Sequence, residues 1–351
     1  MKKKLMALCL VLAMASMTAC SSGSTTAATE AAAETEAAAE TEAAAETEAA
    51  EEAAETTDGQ TYTVGVCQLV QHVALDAATQ GFQDALTEKL GDAVTFDVQN
   101  ASGDSANCAT IVNGFVSSDY DLILANATSP LQAAASATAD IPILGTSVTD
   151  YATALEIEDW TGVVGNNISG TSDLAPLDQQ AAMLNELFPD AATVGLLYCT
   201  AEPNSIYQCT VIEGYLQEYG YDVQWFGFTD TNDVTSVTQS AADACDVIYI
   251  PTDNTAASNT EAIANVVLAA GVPVIAGEEG ICSGCGVATL SISYYDLGYA
   301  TGEMAYEILV NGADITTMEV QYAPNVVKEY NAANCEALGI TVPDDYTAIA
   351  E

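Results

Sequence analysis

After Gln60 the sequence settles into a succession of short apolar runs and amphipathic helical patterns that continues almost to its end. The runs TYTVGVCQ, VTFDVQN, LILAN, IPILGTS, TVGLLYC, YDVQWFGF, VIYIPT, PVIAG and VATLSIS read as strands, rich in β-branched and aromatic residues and bounded by turn formers. Between them, LDAATQGFQDALTEKL, SPLQAAASATA, DQQAAMLNELF, SIYQCTVIEGYLQEYG, NTEAIANVVLAAG and YDLGYATGEMAYEILVNG carry helical spacing. Strand, helix, strand in regular order means parallel sheets with right-handed crossovers. The units are too many for one compact sheet, and they fall into two runs separated by TGVVGNNISGTSDLAP at 161–176. The expected fold class is therefore α/β, with two doubly wound parallel-sheet lobes joined by a hinge. Ligands of open α/β sheets sit beyond the carboxyl ends of the strands, so two facing lobes would share one cleft.

Charge narrows what such a cleft can hold. The chain of 351 residues has a formal net charge of −45, and its five bases are all lysines: Lys2, Lys3, Lys4, Lys89 and Lys328. Nucleic acid is excluded as a partner, because phosphate binding needs clustered cations. With no guanidinium fork, a strongly anionic small ligand is equally ill suited. The N-terminus, MKKKLMALCLVLAMASMTAC, runs from a basic start through about a dozen apolar residues to small ones, the form of an export signal. Its ending MTAC resembles a lipobox, which makes Cys20 the expected site of lipidation. The AAAETE repeats at 31–48 place glutamates four apart with no lysine to pair them, so residues 20–60 read as a charged tether.

Eight cysteines remain in the body, at 67, 108, 199, 209, 245, 282, 285 and 335. CSGC at 282–285 lacks the second half of a zinc site, and no metal or cofactor is expected. Nor does any nucleophile stand in a recognisable catalytic setting: GxSxG and the phosphate-binding P-loop are absent, and His72 is the only histidine.

Polar residues cluster where each strand ends and a helix begins. After the strands of the first run come Gln68 and His72, Asn100 in QNASGD, Thr128 and Ser129 in NATSP, and Ser147 and Thr149 in TSVTD. In the second run they are Tyr198, Asn204 and Ser205 in YCTAEPNS, Asp253 and Asn254 in PTDN, and Glu278 and Glu279 in GEEG. These are the candidate ligand-binding residues. Without arginine, a ligand carboxylate has to be met by hydroxyls and free N–H groups at helix starts, for which Thr128 and Ser129 ahead of Pro130 are the leading candidates, with Ser147 and Thr149 beside them. A ligand ammonium needs a carboxylate, with Asp253 first and Glu278 or Glu279 next. Tyr198, with Tyr294 or Tyr295, could wall an aromatic side chain. His72 and Asp76 lie on one face at the entry of a helix and read as a rim and packing pair within reach of a ligand.

Taken in order, QHVALDAATQGF, QNASGD, DLILANATSPLQAAASAT, IPILGTSVTD, NISGTSDLAP, ELFPDAATVGLLY, VIYIPTDNTAAS, PVIAGEEG and the SYYDLG and TGEMA segments resemble substrate-binding lipoproteins of ABC transporters of the tryptophan-binding type, over about residues 62–340. Val73, Ser293 and the CSGC segment depart from the usual pattern. The resemblance implies a type I periplasmic-binding-protein fold: a lobe of 61–168 with about 295–322, and a second of 169–294 with about 323–351, behind a signal peptide at 1–19. It implies an extracytoplasmic, lipid-anchored monomer that captures a small zwitterion, aromatic amino acids among its ligands, and delivers it to an ABC permease and its ATPase. A sensor feeding a membrane receptor, a sugar- or nucleoside-binding protein, and a thiol oxidoreductase using Cys282 and Cys285 are the alternatives.

Overall fold

The computed structural model describes residues 59–323 and 325–350. The signal peptide, Cys20 and the tether as far as residue 58 lie outside the described residues. In chain order the first elements are β1 (Tyr62–Gln68), α1 (Val73–Leu90), β2 (Val94–Asn100), α2 (Ser105–Ser117), β3 (Leu122–Asn126), α3 (Thr128–Ala137), β4 (Ile143–Val148), α4 (Tyr151–Ala154) and β5 (Ile168–Ser172). The chain then enters a second series: α5 (Leu177–Leu187), β6 (Thr193–Cys199), α6 (Pro203–Tyr219), β7 (Asp222–Phe228), α7 (Val234–Ala244), β8 (Val247–Ile250), α8 (Asn254–Ala257), α9 (Thr260–Ala270), β9 (Val274–Ala276), α10 (Glu279–Cys285) and β10 (Ala288–Ser291). It closes with α11 (Tyr294–Leu309), β11 (Gln321–Tyr322), β12 (Val327–Tyr330), α12 (Ala332–Leu338) and β13 (Thr347–Ala348).

Two sheets result, each the centre of an α/β lobe. Their strand orders are β11-β5-β4-β3-β1-β2 and β13-β12-β10-β9-β8-β6-β7, and every pairing is parallel except β10 with β12. Within each sheet the strand order reverses beside the first strand, between β1 and β3 and between β6 and β8. Those reversals open the crevices in which doubly wound sheets hold ligands.

The strands read as nearly unbroken apolar runs because both faces of each sheet are covered. Along β3, Leu122 and Leu124 enter one core while Ile123 and Ala125 enter the core on the opposite face. β8 repeats the alternation, with Val247 and Tyr249 on one side and Ile248 and Ile250 on the other. Gly65 gives the ring of Phe115 its place, since a Cβ there would stand 2.5 Å from it.

Several elements depart from the sequence reading. The break at 161–176 contains β5, which pairs with β4 and belongs to the first sheet. Only Ile168 is large and apolar in ISGTS; the strand is held by polar contacts, Thr171 Oγ1 lying 3.1 Å from Thr146 Oγ1 and 2.8 Å from Thr301 Oγ1. Helices α2 and α7 were not evident in the apolar pattern because each buries only three side chains, one turn apart: Cys108, Val112 and Phe115 in the former, Val234, Thr238 and Ala241 in the latter. The chain crosses between the sheets three times, after β5, between β10 and α11, and between β11 and β12.

Candidate ligand-binding cleft

Between the carboxyl ends of the two sheets lies a tight cavity of about 10 Å³. The first sheet contributes His72 and Leu75 from the start of α1 and Ser147 and Thr149 from the end of β4; the second contributes Asn204, Thr252, Asp253, Asn254, Ala257 and Glu278; Asp173 and Tyr294 come from two of the crossovers. The two sides touch: His72 Nε2 lies 3.2 Å from Asn254 Oδ1, and Thr149 Oγ1 is 3.4 Å from both Thr252 Oγ1 and Gln208 Nε2. At the crossovers, the Tyr294 hydroxyl donates to Asp173 Oδ2 at 3.0 Å.

Three carboxylates face this space with almost no exposure, Asp253 at 1 %, Glu278 at 2 % and Asp173 at 5 %. Asp253 caps α8, accepting from Ala256 N at 2.8 Å, and its other oxygen accepts from Cys199 N at 2.6 Å. Glu278 caps α10 through Gly280 N at 2.6 Å and Ile281 N at 2.5 Å. Glu202 lies behind them, accepting from the backbone and side chains of Asn254 and Thr255. Among the described residues no lysine is near, Lys89 pairing with Glu303 and Lys328 with Glu186 and Asp345. Burial without a counter-cation pushes Asp253 up to about 8, helped by Glu202, Glu278 up to about 7, and Asp173 up to about 6.

Buried polar atoms are normally paired. Among the described residues those without a partner include His72 Nδ1, Ser147 Oγ and Asp173 Oδ1, and all three residues line this one cavity. Asn254 Nδ2 is committed to Glu202, so its Oδ1 faces His72 as an acceptor and the imidazole donates from Nε2. Nδ1 of a neutral His72 is then a free acceptor, and burial lowers the pKa of the ring, favouring that neutral form. The wall thus offers a carboxylate oxygen, an imidazole nitrogen and a hydroxyl to something that donates.

The remaining candidates lie elsewhere. Gln68 is consumed within the first lobe, donating to Asp76 Oδ1 at 2.6 Å and accepting from Thr79 at 2.7 Å. Asn100 is exposed and closes a local turn onto Ser102 N. Thr128 is buried at the start of α3 away from the cavity, and Ser129 borders a separate pocket at the mouth of the cleft, so neither stands where a carboxylate in the cavity would need it. Tyr198 packs edge-on against Trp225 at 5.2 Å and contributes no wall. Ser205 lies behind Asn204, within 3.3 Å of its amide. Glu279 lines a neighbouring hinge-side pocket of about 190 Å³, which shares Glu278 and Tyr294 with the cavity. Asp173 and Thr252 are not evident from the sequence: the first follows ISGTS, a strand with little apolar pattern, and the second falls inside the apolar run VIYIPT. Cys282 and Cys285 are buried in α10 with their thiols pushed up by burial, the opposite of a reactive thiolate.

A family model for ABC transporter substrate-binding proteins matches residues 63–351. The chain belongs to that family. Substrate-binding proteins of ABC transporters are extracytoplasmic binding proteins. A tyrosine-binding protein of Clostridioides difficile is 36 % identical over 272 residues, 76 % of this chain and 79 % of its own. Among solved structures, an ABC domain in complex with L-Trp from Streptococcus pneumoniae is 31 % identical over 81 % of this chain and 97 % of its own, with a TM-score of 0.78. The ligand-free, open structure of a Clostridium difficile substrate-binding protein with adhesive properties is 36 % identical over 82 % of this chain and 99 % of its own, yet its TM-score is 0.63.

Proposed function

We propose that this substrate-binding protein captures a free amino acid with an aromatic side chain. The observation that carries the reading is the convergence of three unpartnered buried acceptors and three buried carboxylates on one cavity with no cation beside it among the described residues. An ammonium brings three N–H donors, no acceptor and the missing positive charge; a neutral sugar brings no charge. The ligand's carboxylate would lie at the start of α1, a helix of 18 residues whose N-cap makes no side-chain hydrogen bond, where free N–H groups and the positive end of the helix favour an anion. The hinge-side pocket, which Glu278, Glu279 and Glu329 also line, offers an aromatic ring apolar surface from Val73, Ala77, Ile292, Tyr295 and Val327. The tyrosine-binding relative and the tryptophan complex support the same class. Lipidated at Cys20, the protein would present its ligand unchanged to a permease and its ATPase, its lobes closing about the three crossovers and reopening there.

The test is a thermal-shift screen of residues 60–351 against the twenty amino acids, nucleosides and common sugars. An aromatic amino acid at a hundredfold its dissociation constant is expected to add about 2.7 kcal/mol of stability. Stabilisation by sugars with none by amino acids would overturn the reading.

A further inference from the structure

The carboxylates around the cavity are not equivalent. Both oxygens of Asp253 and both of Glu278 already accept from backbone N–H groups at helix starts. Asp173 caps no helix; one oxygen takes the Tyr294 hydroxyl, and the other, Oδ1, is buried without a hydrogen-bond partner, while burial raises the carboxyl's pKa and the Thr149 side chain close by lowers it against that rise. It also sits in the crossover between β5 and α5, where the lobes join. The groups facing the trio are Glu202, Glu279, Tyr151, Tyr294 and His72, with the thiols of Cys199, Cys209, Cys282 and Cys285. None of them is a cation at neutral pH, His72 being held neutral by burial. Three carboxylates so enclosed cannot all stay charged without a counter-ion, and the trio retains protons that a charged partner would displace.

We propose that the ligand's ammonium seats on Asp173 Oδ1 and that its arrival expels a proton from the carboxylate trio of Asp173, Asp253 and Glu278 into solvent. This rests on the amine-binding reading above and goes beyond it. Charge balances: a cationic group enters as ammonium, a carboxylic acid becomes a carboxylate, and bulk buffer takes the proton. Acidification therefore opposes capture, because protons and ammonium compete for the same oxygens. His72 adds to this in the same direction, since a proton on Nδ1 would place a cation against the ammonium.

Calorimetric titration of the protein with L-tyrosine and L-tryptophan, in buffers of different ionisation enthalpy, counts the protons released. A sizeable fraction of a proton should appear near pH 7, and the dissociation constant should rise as pH falls from 8 to 6. The des-amino analogue 3-(4-hydroxyphenyl)propionate should bind at least about tenfold more weakly than tyrosine and release none. Asp173→Asn, which keeps an acceptor for Tyr294, should weaken the amino acids roughly 10- to 100-fold, as loss of a charged hydrogen bond does. The proton count on the unmodified protein stands whether or not the variant folds. Heats independent of buffer, or an Asp173→Asn protein that binds as tightly as the parent, would sink this proposal while leaving amino-acid binding intact. Failure of every amino acid to bind the unmodified protein would remove both.

Discussion

Ser147 shows how a single residue can be shaped for a partner rather than for the fold. Its φ is +53°, its hydroxyl is buried with no partner, and it lines the cavity at the end of β4. An L-residue other than glycine is strained there, and an unpaired buried hydroxyl costs on the order of 1 kcal/mol or more. Ser147→Gly relieves both at the cost of extra freedom in the unfolded chain. Its ligand-free melting temperature is therefore expected to hold or rise, while its affinity for an aromatic amino acid falls roughly three- to tenfold. Differential scanning fluorimetry beside calorimetry checks this, and lower stability with unchanged affinity would count against it. The strand-end position of Ser147 was legible, as were His72, Thr149, Asn204, Asp253, Asn254 and Glu278, because doubly wound sheets put polar groups after each strand. Which of these would be left unpaired was not, since that depends on neighbours far away along the chain, as His72 and Asn254, 182 residues apart, illustrate.

At the scale of elements, the joint between α1 and α11 carries the most specific packing. Gly81 and Gly298 lie where a Cβ would run into the carbonyls of Tyr295 and Ala78, and at Gly302 it would approach Phe82 O at 2.7 Å. The late helix thereby lies against the first helix of the fold, and the Ala74, Ala78, Ile292, Tyr294 and Leu297 cluster holds their ends beside the crossover. Gly298→Ala must push two backbones apart, and a loss of about 1 to 3 kcal/mol is expected, typical of overpacking. Urea unfolding measures it, and a variant as stable as the parent would show that the helices can separate freely. Both helices stand out in the sequence as amphipathic patterns. Their contact does not, because glycine in a helix reads only as a weak propensity until the opposing backbone is known.

Across the whole molecule, the excess of acid over base has a consequence for stability. Asp253, Glu278 and Asp173, at about 8, 7 and 6, all lie above the values of an unfolded chain, near 4. Their protonated forms stabilise the fold; that contribution is complete below about pH 4 and is lost as pH rises through 6, 7 and 8. The ligand-free protein should accordingly melt several degrees higher at pH 5.5 than at pH 8.5, whereas saturating amino acid should narrow the difference by supplying the missing cation. Scanning calorimetry across that range tests the sign, and a melting temperature that climbs with pH would contradict it. Periodicity alone determined the two parallel-sheet halves, since burial on both faces leaves long apolar runs between helices. Composition alone determined that no guanidinium can stand in the cleft, since no arginine exists; that Lys89 and Lys328 pair elsewhere is decided by the fold. Tertiary structure decided the rest: that an unremarkable ISGTS segment completes a sheet, that Asp173 beyond it turns into the cleft, and that Thr128 and Tyr198 turn away. Those outcomes depend on which buried atoms find partners across the joined sheets, and pairing of that kind exists only once distant segments meet.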